Sequence, residues 1–486
     1  MNRYSAILYF ILLFLGGCDD FLSQTPDGRT KLDTREKIGE LLVTAYPEAN
    51  YAAFCEAMSD NVEDNPSGGQ DQRNSDAYFW RDGLSTAQDS PEFYWNSCYA
   101  AIAAANHALK AIEQAENPEE YSAEYGEALV ARAYSHFMLV NLFAKMYNPN
   151  SATYDLGIPY VTDPETVSLK TYERNTVAYV YEMIEKDLLE GLPLIDDKAY
   201  ETGDATGVIK YHFSKSAANA FAVRFYLFTK DYDKVIDYAE RVLGSGEFAD
   251  YLRPWNTDYK SLSAQELANI YTRSSERTNL LLSETLTEWP RRFNSFRFST
   301  GAIKYQELFP NPSGGIFAFS TFYTSSGIYF INKFKEHFVR TGNNANTGYP
   351  YMMLPLFTVE EVLLSRAEAY AFKNEFHESL ADLNIWISKR INNYNPEVHQ
   401  LTFNRLYEFY QYNINQQNLV AAALHFRQVE FLHEGMRWFD IRRHHIPVVH
   451  TTSNGETYEL KADDARKTLQ IPQEAMTIGG LQPNPR

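Results

Sequence analysis

The sequence predicts a mainly α-helical fold, in which helix–turn–helix units support an irregular, loop-rich lobe with a few short strands. Three observations predict it: apolar residues at helical spacing in several long segments, an internal repeat, and a long aromatic-rich stretch without that spacing. Of the 486 residues, 44% are hydrophobic and 22% are charged, which is typical of a folded globular protein. We therefore expect an ordered body.

The amino terminus has the pattern of a lipoprotein signal peptide over residues 1–17. Its apolar run, residues 6–15, is too short to span a bilayer. Leu15-Gly16-Gly17-Cys18 then gives the aliphatic, small, small, cysteine order that cleavage and acylation require. We expect Cys18 to be the lipidated first residue of the mature chain, within a flexible tether over residues 18–30. The alternative is a short buried helix with a free cysteine.

Three further segments have the apolar spacing of helices, and they are Trp95–Ile112, Glu127–Tyr147 and Asn175–Leu192. In the second segment, small residues such as Ala128 and Ala131 share the apolar face, so a neighbouring helix can pack closely. No run along the chain reaches the roughly 18 apolar residues of a membrane span, so we expect no transmembrane helix.

An internal repeat predicts helix–turn–helix units. Residues 222–243 align with residues 366–387 without gaps, and Tyr232 then matches Phe376, each directly after an acidic residue. Each segment has the helix, polar turn, helix pattern of a tetratricopeptide unit, and such units bury their faces by stacking. We expect each of these aromatic side chains to lie between the two helices of its own unit. The alternative is a generic pair of antiparallel helices.

The region 248–349 differs from the helical segments. It is rich in Ser, Thr, Asn and aromatic residues, and partial alternation in residues 314–330 predicts short strands. Long irregular segments in compact proteins are commonly functional, so we expect the ligand site in this lobe. We expect residues 31–486, including the lobe, to form a single domain.

Composition and motifs argue against several functions. A net charge of −19 disfavours nucleic-acid binding, which needs a surplus of Lys and Arg. There is no nucleophile elbow, no zinc-protease motif and no glycine-rich phosphate loop. We therefore expect a binding protein without catalytic residues, metal or cofactor. Cys55 and Cys98 either form a disulfide in an oxidising compartment or remain two buried thiols, and the sequence leaves both open.

Clustered aromatic residues are the best sign of a ligand site. Flat rings stack on the faces of sugars, while neighbouring polar side chains bind hydroxyl groups. The alternative for each tryptophan is local packing beneath a loop. The candidate ligand-binding residues are Tyr78, Trp80, Arg81, Trp289, Arg291, Phe293 and Tyr323.

The segment EFLHEGMRWFDIRR, residues 430–443, resembles the signature E-x-x-x-E-G-x-R-x-x-D-L-x-R of the SusD/RagB family, with Ile441 in place of leucine. We expect Arg437 and Asp440, three residues apart, to pair on one helix face beneath Trp438. The final LQPNPR departs from the family's Q-N-P ending by an inserted proline. Other segments that resemble the family are WNSCYAAIAAANHAL, GEALVARAYSHFMLVNLFAKMY, FTVEEVLLSRAEAYAFKNEF and LQIPQEA.

This resemblance implies a SusD-like α-helical fold with tetratricopeptide-like units and an irregular lobe that carries the ligand site. It implies a nutrient-binding lipoprotein, exposed at the cell surface of the outer membrane, that partners a SusC-like TonB-dependent transporter. We expect an oligosaccharide ligand, with a peptide as the second choice. Two other hypotheses are a surface-anchored glycan hydrolase and a tetratricopeptide scaffold that binds only proteins.

Overall fold

The computed structural model describes residues 32–165, 171–200, 208–244, 248–342 and 347–486. The predicted signal peptide, the predicted lipidation site Cys18 and the whole of the predicted tether lie outside these residues. Within them the chain forms 18 α-helices and nine strands, and most of the strands are short. The prediction of a mainly α fold with a few short strands is therefore confirmed.

The first eight helices build the amino-terminal part of the scaffold. They are α1 (Arg35–Leu42), α2 (Ala52–Met58), α3 (Gln72–Tyr78), α4 (Pro91–Glu113), α5 (Ser122–Phe143), α6 (Val177–Gly191), α7 (Lys215–Thr229) and α8 (Tyr232–Leu243).

Helix α5 is central in this part, because α4 packs on one side of it and α6 on another. Nearly all of its side chains are buried. Where α5 meets α6, a Cβ atom on Gly126 would lie 2.7 Å from the carbonyl oxygen of Gly191. A Cβ on Gly191 would lie 2.6 Å from the carbonyl oxygen of Gly126. Both positions require glycine, since the two backbones approach too closely for any side chain.

The remaining ten helices follow the second half of the chain. They are α9 (Ala264–Ile270), α10 (Trp289–Arg292), α11 (Ala302–Leu308), α12 (Val359–Phe372), α13 (Phe376–Ser388), α14 (Pro396–His399), α15 (Phe403–Tyr410), α16 (Asn415–Glu430), α17 (Met436–Arg443) and α18 (Gln473–Thr477).

The predicted repeat corresponds to two helical hairpins, α7–α8 and α12–α13. Their turns have the same geometry: Lys230 and Asn374, which match in the alignment, both have a left-handed backbone with φ of 63° and 64°. Helix α8 packs against α12, so the two hairpins stack on one another. The expected position of the aromatic residue is wrong for Tyr232, whose ring stacks on Phe372 of the next hairpin at a centroid distance of 4.6 Å.

The strands pair in four small antiparallel sheets. The largest has the order β2-β7-β6, and the others are the pairs β1–β3, β4–β5 and β8–β9. The hairpin β4–β5 falls where alternation predicted strands. The strands are β1 (Glu63–Asp64), β2 (Asn279–Leu286), β3 (Phe298–Ser299), β4 (Thr321–Tyr323), β5 (Tyr329–Ile331), β6 (Glu336–Arg340), β7 (Gly348–Thr358), β8 (Val448–Thr451) and β9 (Thr457–Leu460).

The signature segment forms the end of α16, a tight turn at Gly435 with φ of 74°, and α17. The expected pairing of Arg437 with Asp440 is wrong. Arg437 instead forms a bidentate pair with Asp60, both N–O distances being 2.8 Å. Asp440 binds Arg427 and Arg443, at 3.0 and 2.8 Å. Arg437 and Asp440 thus join α17 to Asp60 and to Arg427 of α16, while Asp440 also pairs within its own helix with Arg443, three residues on.

A set of fully buried charged residues lies beside this segment, and we call it the buried charge network. Its members are Arg253, Lys333, Glu360, Arg390, Glu430 and Glu434. The Arg390 guanidinium lies 2.7 Å from the Glu430 carboxylate and 3.1 Å from that of Glu360, while Lys333 lies 2.7 Å from Glu434. Buried charges of this kind are tolerated only when they are paired and hydrogen-bonded.

The carboxyl-terminal residues dock on the scaffold despite the inserted proline. The Asn484 amide donates hydrogen bonds to the backbone oxygens of Phe143 and Leu469, at 2.8 and 2.7 Å. Cys55 and Cys98 are buried free thiols, which decides the alternative left open by the sequence. Among the described residues, no helix has the length and apolar character needed to cross a bilayer.

Candidate ligand-binding surface

Three tyrosine rings form a row on the loop-rich lobe, and we call Tyr305, Tyr323 and Tyr329 the tyrosine surface. Tyr323 and Tyr329 face each other across the β4–β5 hairpin, with ring centroids 6.0 Å apart. Tyr305, from α11, stacks on Tyr329 at 4.7 Å with an angle of 22° between the ring planes. Tyr323 is 75% exposed, so the outer end of the row is open to solvent.

The opposite face of the same hairpin is packed. Because side chains alternate along a strand, Phe322 and Phe330 point away from the tyrosine surface. Phe330 packs edge-on against Phe293, with centroids 5.7 Å apart, and Phe293 packs against Trp289. The buried aromatic residues of the lobe therefore support the hairpin from behind and fix the position of the tyrosines.

Two further contacts attach this surface to the rest of the protein. The backbone N–H of Tyr329 donates to the oxygen of Thr300 at 2.8 Å. The two oxygens of the Glu63 carboxylate accept hydrogen bonds from the backbone N–H groups of Ile303 and Lys304, in the first turn of α11. The region 60–65 thus holds the helix that supplies Tyr305.

The structure places Tyr78 and Trp80 in the interior. Their rings lie on either side of the His450 imidazole, at centroid distances of 4.1 and 4.5 Å, and Tyr78 also stacks on Phe298 at 4.0 Å. The Trp80 indole donates to the oxygen of Met58 at 2.9 Å. Both rings therefore have a packing role here, and neither presents a face to a ligand in this conformation.

Trp289 and Phe293 are also buried, being 4% and 1% exposed. The Trp289 indole donates to the backbone oxygen of His433 at 2.9 Å, which connects the lobe to the signature segment. For these two residues the packing alternative describes the structure, and their connection with a ligand is indirect, through the hairpin that they support.

The two predicted arginines, Arg81 and Arg291, are exposed, and each contacts a different part of the protein. The Arg81 guanidinium lies 4.6 Å from the centroid of the Phe79 ring. Arg291 pairs with Glu336 of β6, at 2.6 Å for one of its two bonds. Ligand contact by Arg81, Arg291 and Tyr323 stays a prediction, and of these only Tyr323 belongs to the tyrosine surface.

Sequence reasoning missed Tyr305 and Tyr329 as candidates. The alternation in residues 314–330 carried a usable signal for Tyr329, since a hairpin that pairs residues 323 and 329 puts both side chains on one face. Tyr305 carried no such signal, because its place depends on how α11 docks. Among the described residues, no group of three or more His, Cys, Asp and Glu side chains is placed to hold a metal ion.

Two family models match the chain. One, described as starch-binding associating with outer membrane, matches residues 20–227, and the other, described as SusD family, matches residues 283–482. The chain belongs to the SusD/RagB family. The family predicted from the resemblance is thereby confirmed. No curated protein sequence matches the chain.

Solved structures of SusD proteins have the same fold. A SusD superfamily protein of Bacteroides thetaiotaomicron is 20% identical with a TM-score of 0.69, over 93% of this chain and 100% of that one. A putative sugar binding protein of Bacteroides vulgatus is 18% identical with a TM-score of 0.70, over 94% and 99% of the two chains. A SusD-like carbohydrate binding protein of Bacteroides vulgatus is 16% identical with a TM-score of 0.65, over 92% and 97%.

Proposed function

We propose that this SusD/RagB member is a lipoprotein of the outer-membrane surface. It binds an oligosaccharide at the tyrosine surface and passes it to a TonB-dependent transporter. The observation that carries the binding step is the row of Tyr305, Tyr329 and Tyr323, open at its outer end. Ring faces of this kind accept the C–H groups of a sugar, and the tyrosine hydroxyl groups remain for polar contacts.

The fixed position of the rings supports this function. Tyr329 is held by Tyr305 on one side and by the paired strand on the other, so few side chains have to be ordered when a ligand binds. The net charge of −19 favours a neutral glycan, because an acidic one would meet long-range repulsion.

The cell-surface location and the transporter rest on other observations. The order Leu15-Gly16-Gly17-Cys18 is the acylation pattern, and acyl chains bind a protein firmly to a membrane. Membership of the SusD/RagB family supports the transporter partner. The names of the two sugar- and carbohydrate-binding structures support the ligand class.

The binding step is tested with the chain from residue 19 onward, which contains all the described residues. A glycan panel first identifies a ligand, and calorimetry then measures its affinity. We expect the double variant Tyr323→Ala/Tyr329→Ala to bind at least about tenfold more weakly, or ~1.4 kcal/mol. The control variant Tyr154→Ala/Tyr179→Ala removes two exposed tyrosines of the scaffold and should bind like the parent. Equal loss in both variants, or no loss in the first, would contradict a site at the tyrosine surface.

The same panel separates the other hypotheses. Binding only to peptides would indicate a peptide-binding family member, and turnover of a glycan would indicate a hydrolase. In cells, Cys18→Ala should move the protein from the membrane fraction to the soluble fraction. Co-purification of the protein with a transporter from the parent strain tests the proposed partnership. If no transporter is recovered after crosslinking, the delivery step is contradicted.

A further inference from the structure

A cavity that is separate from the tyrosine surface is formed by other elements of the fold. Its volume is about 410 Å³, and it lies between the first half of α4, residues 159–165 with Tyr172, and the carboxyl-terminal residues 475–481. This volume falls in the range of roughly 300–1,000 Å³ that is usual for small-molecule sites. Nothing in the proposed glycan function uses it.

Aromatic side chains form the inner wall, and contacts within the protein fix them. Trp95 and Tyr99 are one helical turn apart on α4, with ring centroids 5.0 Å apart. Trp95 packs edge-on against Phe143 at 4.9 Å, and the Tyr99 hydroxyl donates to the oxygen of Pro159 at 3.0 Å. Alanines on the same face of α4, such as Ala103, leave room in front of these rings. Contacts within the protein thus hold the wall of the cavity in place.

The charged side chains at the rim all have the same sign. Asp163 and Glu165 line the cavity, and none of its described lining residues is a lysine, arginine or histidine. In the described part of the chain, both carboxylates accept hydrogen bonds from hydroxyl groups: Thr162 donates to Asp163 at 3.2 Å, and Tyr172 donates to Glu165 at 2.5 Å. A hydroxyl group does not neutralise a carboxylate, so among the described lining residues the rim has a net negative charge.

The Tyr172 hydroxyl reports this charge. Burial raises its pKa above the ordinary value, and the hydrogen bond to Glu165 and the charges of Glu165 and Asp163 raise it further. Both carboxylates therefore act on the same small volume at the mouth of the cavity.

Aromatic walls and carboxylates together favour the binding of cations. An ammonium or guanidinium group is attracted by ring faces within roughly 6 Å and by carboxylates, while an anion is repelled by both. We propose that this cavity is a binding site for an organic cation, in which an apolar body packs on Trp95 and Tyr99 and a primary ammonium or guanidinium group binds Asp163 and Glu165.

The test compares matched probes on the chain from residue 19 onward. By calorimetry or NMR titration, 5-amino-1-pentanol should bind at least about tenfold more tightly than 1,5-pentanediol, because they differ mainly in the ammonium group. The variant Asp163→Asn/Glu165→Gln should reduce the affinity for the amino alcohol to that for the diol. Titration with acetyl-Gly-Lys-Gly-amide shows whether the cavity also binds the lysine side chain of a peptide or binds only small free amines.

A remote control separates a local effect from the general charge of the protein. Glu116→Gln/Glu119→Gln removes the same charge from an exposed surface, and it should leave binding of the amino alcohol unchanged. The proposal is overturned if the diol binds as tightly as the amino alcohol. It is also overturned if Asp163→Asn/Glu165→Gln binds like the parent, or if neither probe binds at about 10 mM. None of these results depends on the tyrosine surface.

Discussion

The buried charge network and the tyrosine surface use polar side chains in opposite ways. In the network, Arg390 has no solvent exposure and lies between the carboxylates of Glu430 and Glu360. On the tyrosine surface, the rings of Tyr323 and Tyr329 contact each other and solvent. A buried charge fixes the identity of its partner, because removal of either leaves the other unpaired. An exposed ring sets no such condition. Two members of the network, Glu430 and Glu434, lie in the signature segment, whereas no residue of the tyrosine surface lies in a sequence motif.

Among the variants that test this difference, we expect Arg390→Met to change the free energy of unfolding most. The substitution removes the guanidinium that binds the buried carboxylates of Glu430 and Glu360, which we expect to lower the free energy of unfolding by ~3–5 kcal/mol. Urea unfolding measures it. The matched control is Arg241→Met, whose partner Asp237 is exposed, and there we expect a loss of ~1 kcal/mol or less. Equal losses in the two variants would mean that the network does not carry the stability assigned to it.

A smaller, pH-dependent effect is expected at Glu56, which lies beneath the signature turn. Its carboxylate accepts hydrogen bonds from the backbone N–H groups of His433 and Gly435, yet burial dominates and raises its pKa from 4.5 to about 7. The folded state therefore binds the proton more tightly than the unfolded state. As a result, the contribution of Glu56 to stability is largest below pH 4.5 and falls as the pH rises to about 7.

The variant Glu56→Gln tests this direction. The stability difference between parent and variant should shift by about 3 kcal/mol in favour of the variant between pH 4 and pH 8, since one pKa unit corresponds to about 1.4 kcal/mol. Unfolding by urea at several pH values measures it. Titratable groups remote from Glu56 cancel in the difference, but His433, whose Nδ1 lies 4.0 Å from the Glu56 carboxylate, does not. A difference that does not change with pH would contradict the raised pKa.

The smallest effect on stability is expected on the tyrosine surface. Because Tyr323 is mostly exposed, Tyr323→Ala should change the free energy of unfolding by no more than ~0.5 kcal/mol. In the same lobe, Trp289→Ala should cost ~3–5 kcal/mol, since it empties a buried site. Thermal unfolding of both variants gives the comparison. A large loss from Tyr323→Ala would show that the ring supports the fold, and would weaken its assignment to a ligand.

The helices and the repeat could be predicted because their signals are local. The spacing in Glu127–Tyr147 identified α5, although the helix begins five residues earlier and ends at Phe143. The alignment of two segments identified both hairpins and their polar turns, and the left-handed backbone of those turns comes from the structure alone. The position of Tyr232 could not be predicted, because its partner Phe372 belongs to the next hairpin and the alignment contains no information on how the hairpins stack.

The candidate site was less predictable, because exposure depends on distant partners. Trp80 is followed by a charged residue and looks like a surface tryptophan, but His450, almost at the other end of the chain, covers one face of its ring. Arg437 likewise pairs with Asp60 and not with its helical neighbour. Among the aromatic candidates, only Tyr323, at the end of β4, is an exposed ring in the structure.

The two buried thiols have a practical consequence for measuring ligand capture. Burial raises the pKa values of Cys55 and Cys98, and buried thiols of this kind react slowly with alkylating reagents. In a chain that starts at residue 19, a cysteine placed in the turn beside Tyr323, as in Ser325→Cys, would therefore be labelled selectively by a fluorescent maleimide. The dye would report occupancy of the lobe directly, so that capture and release could be followed in real time.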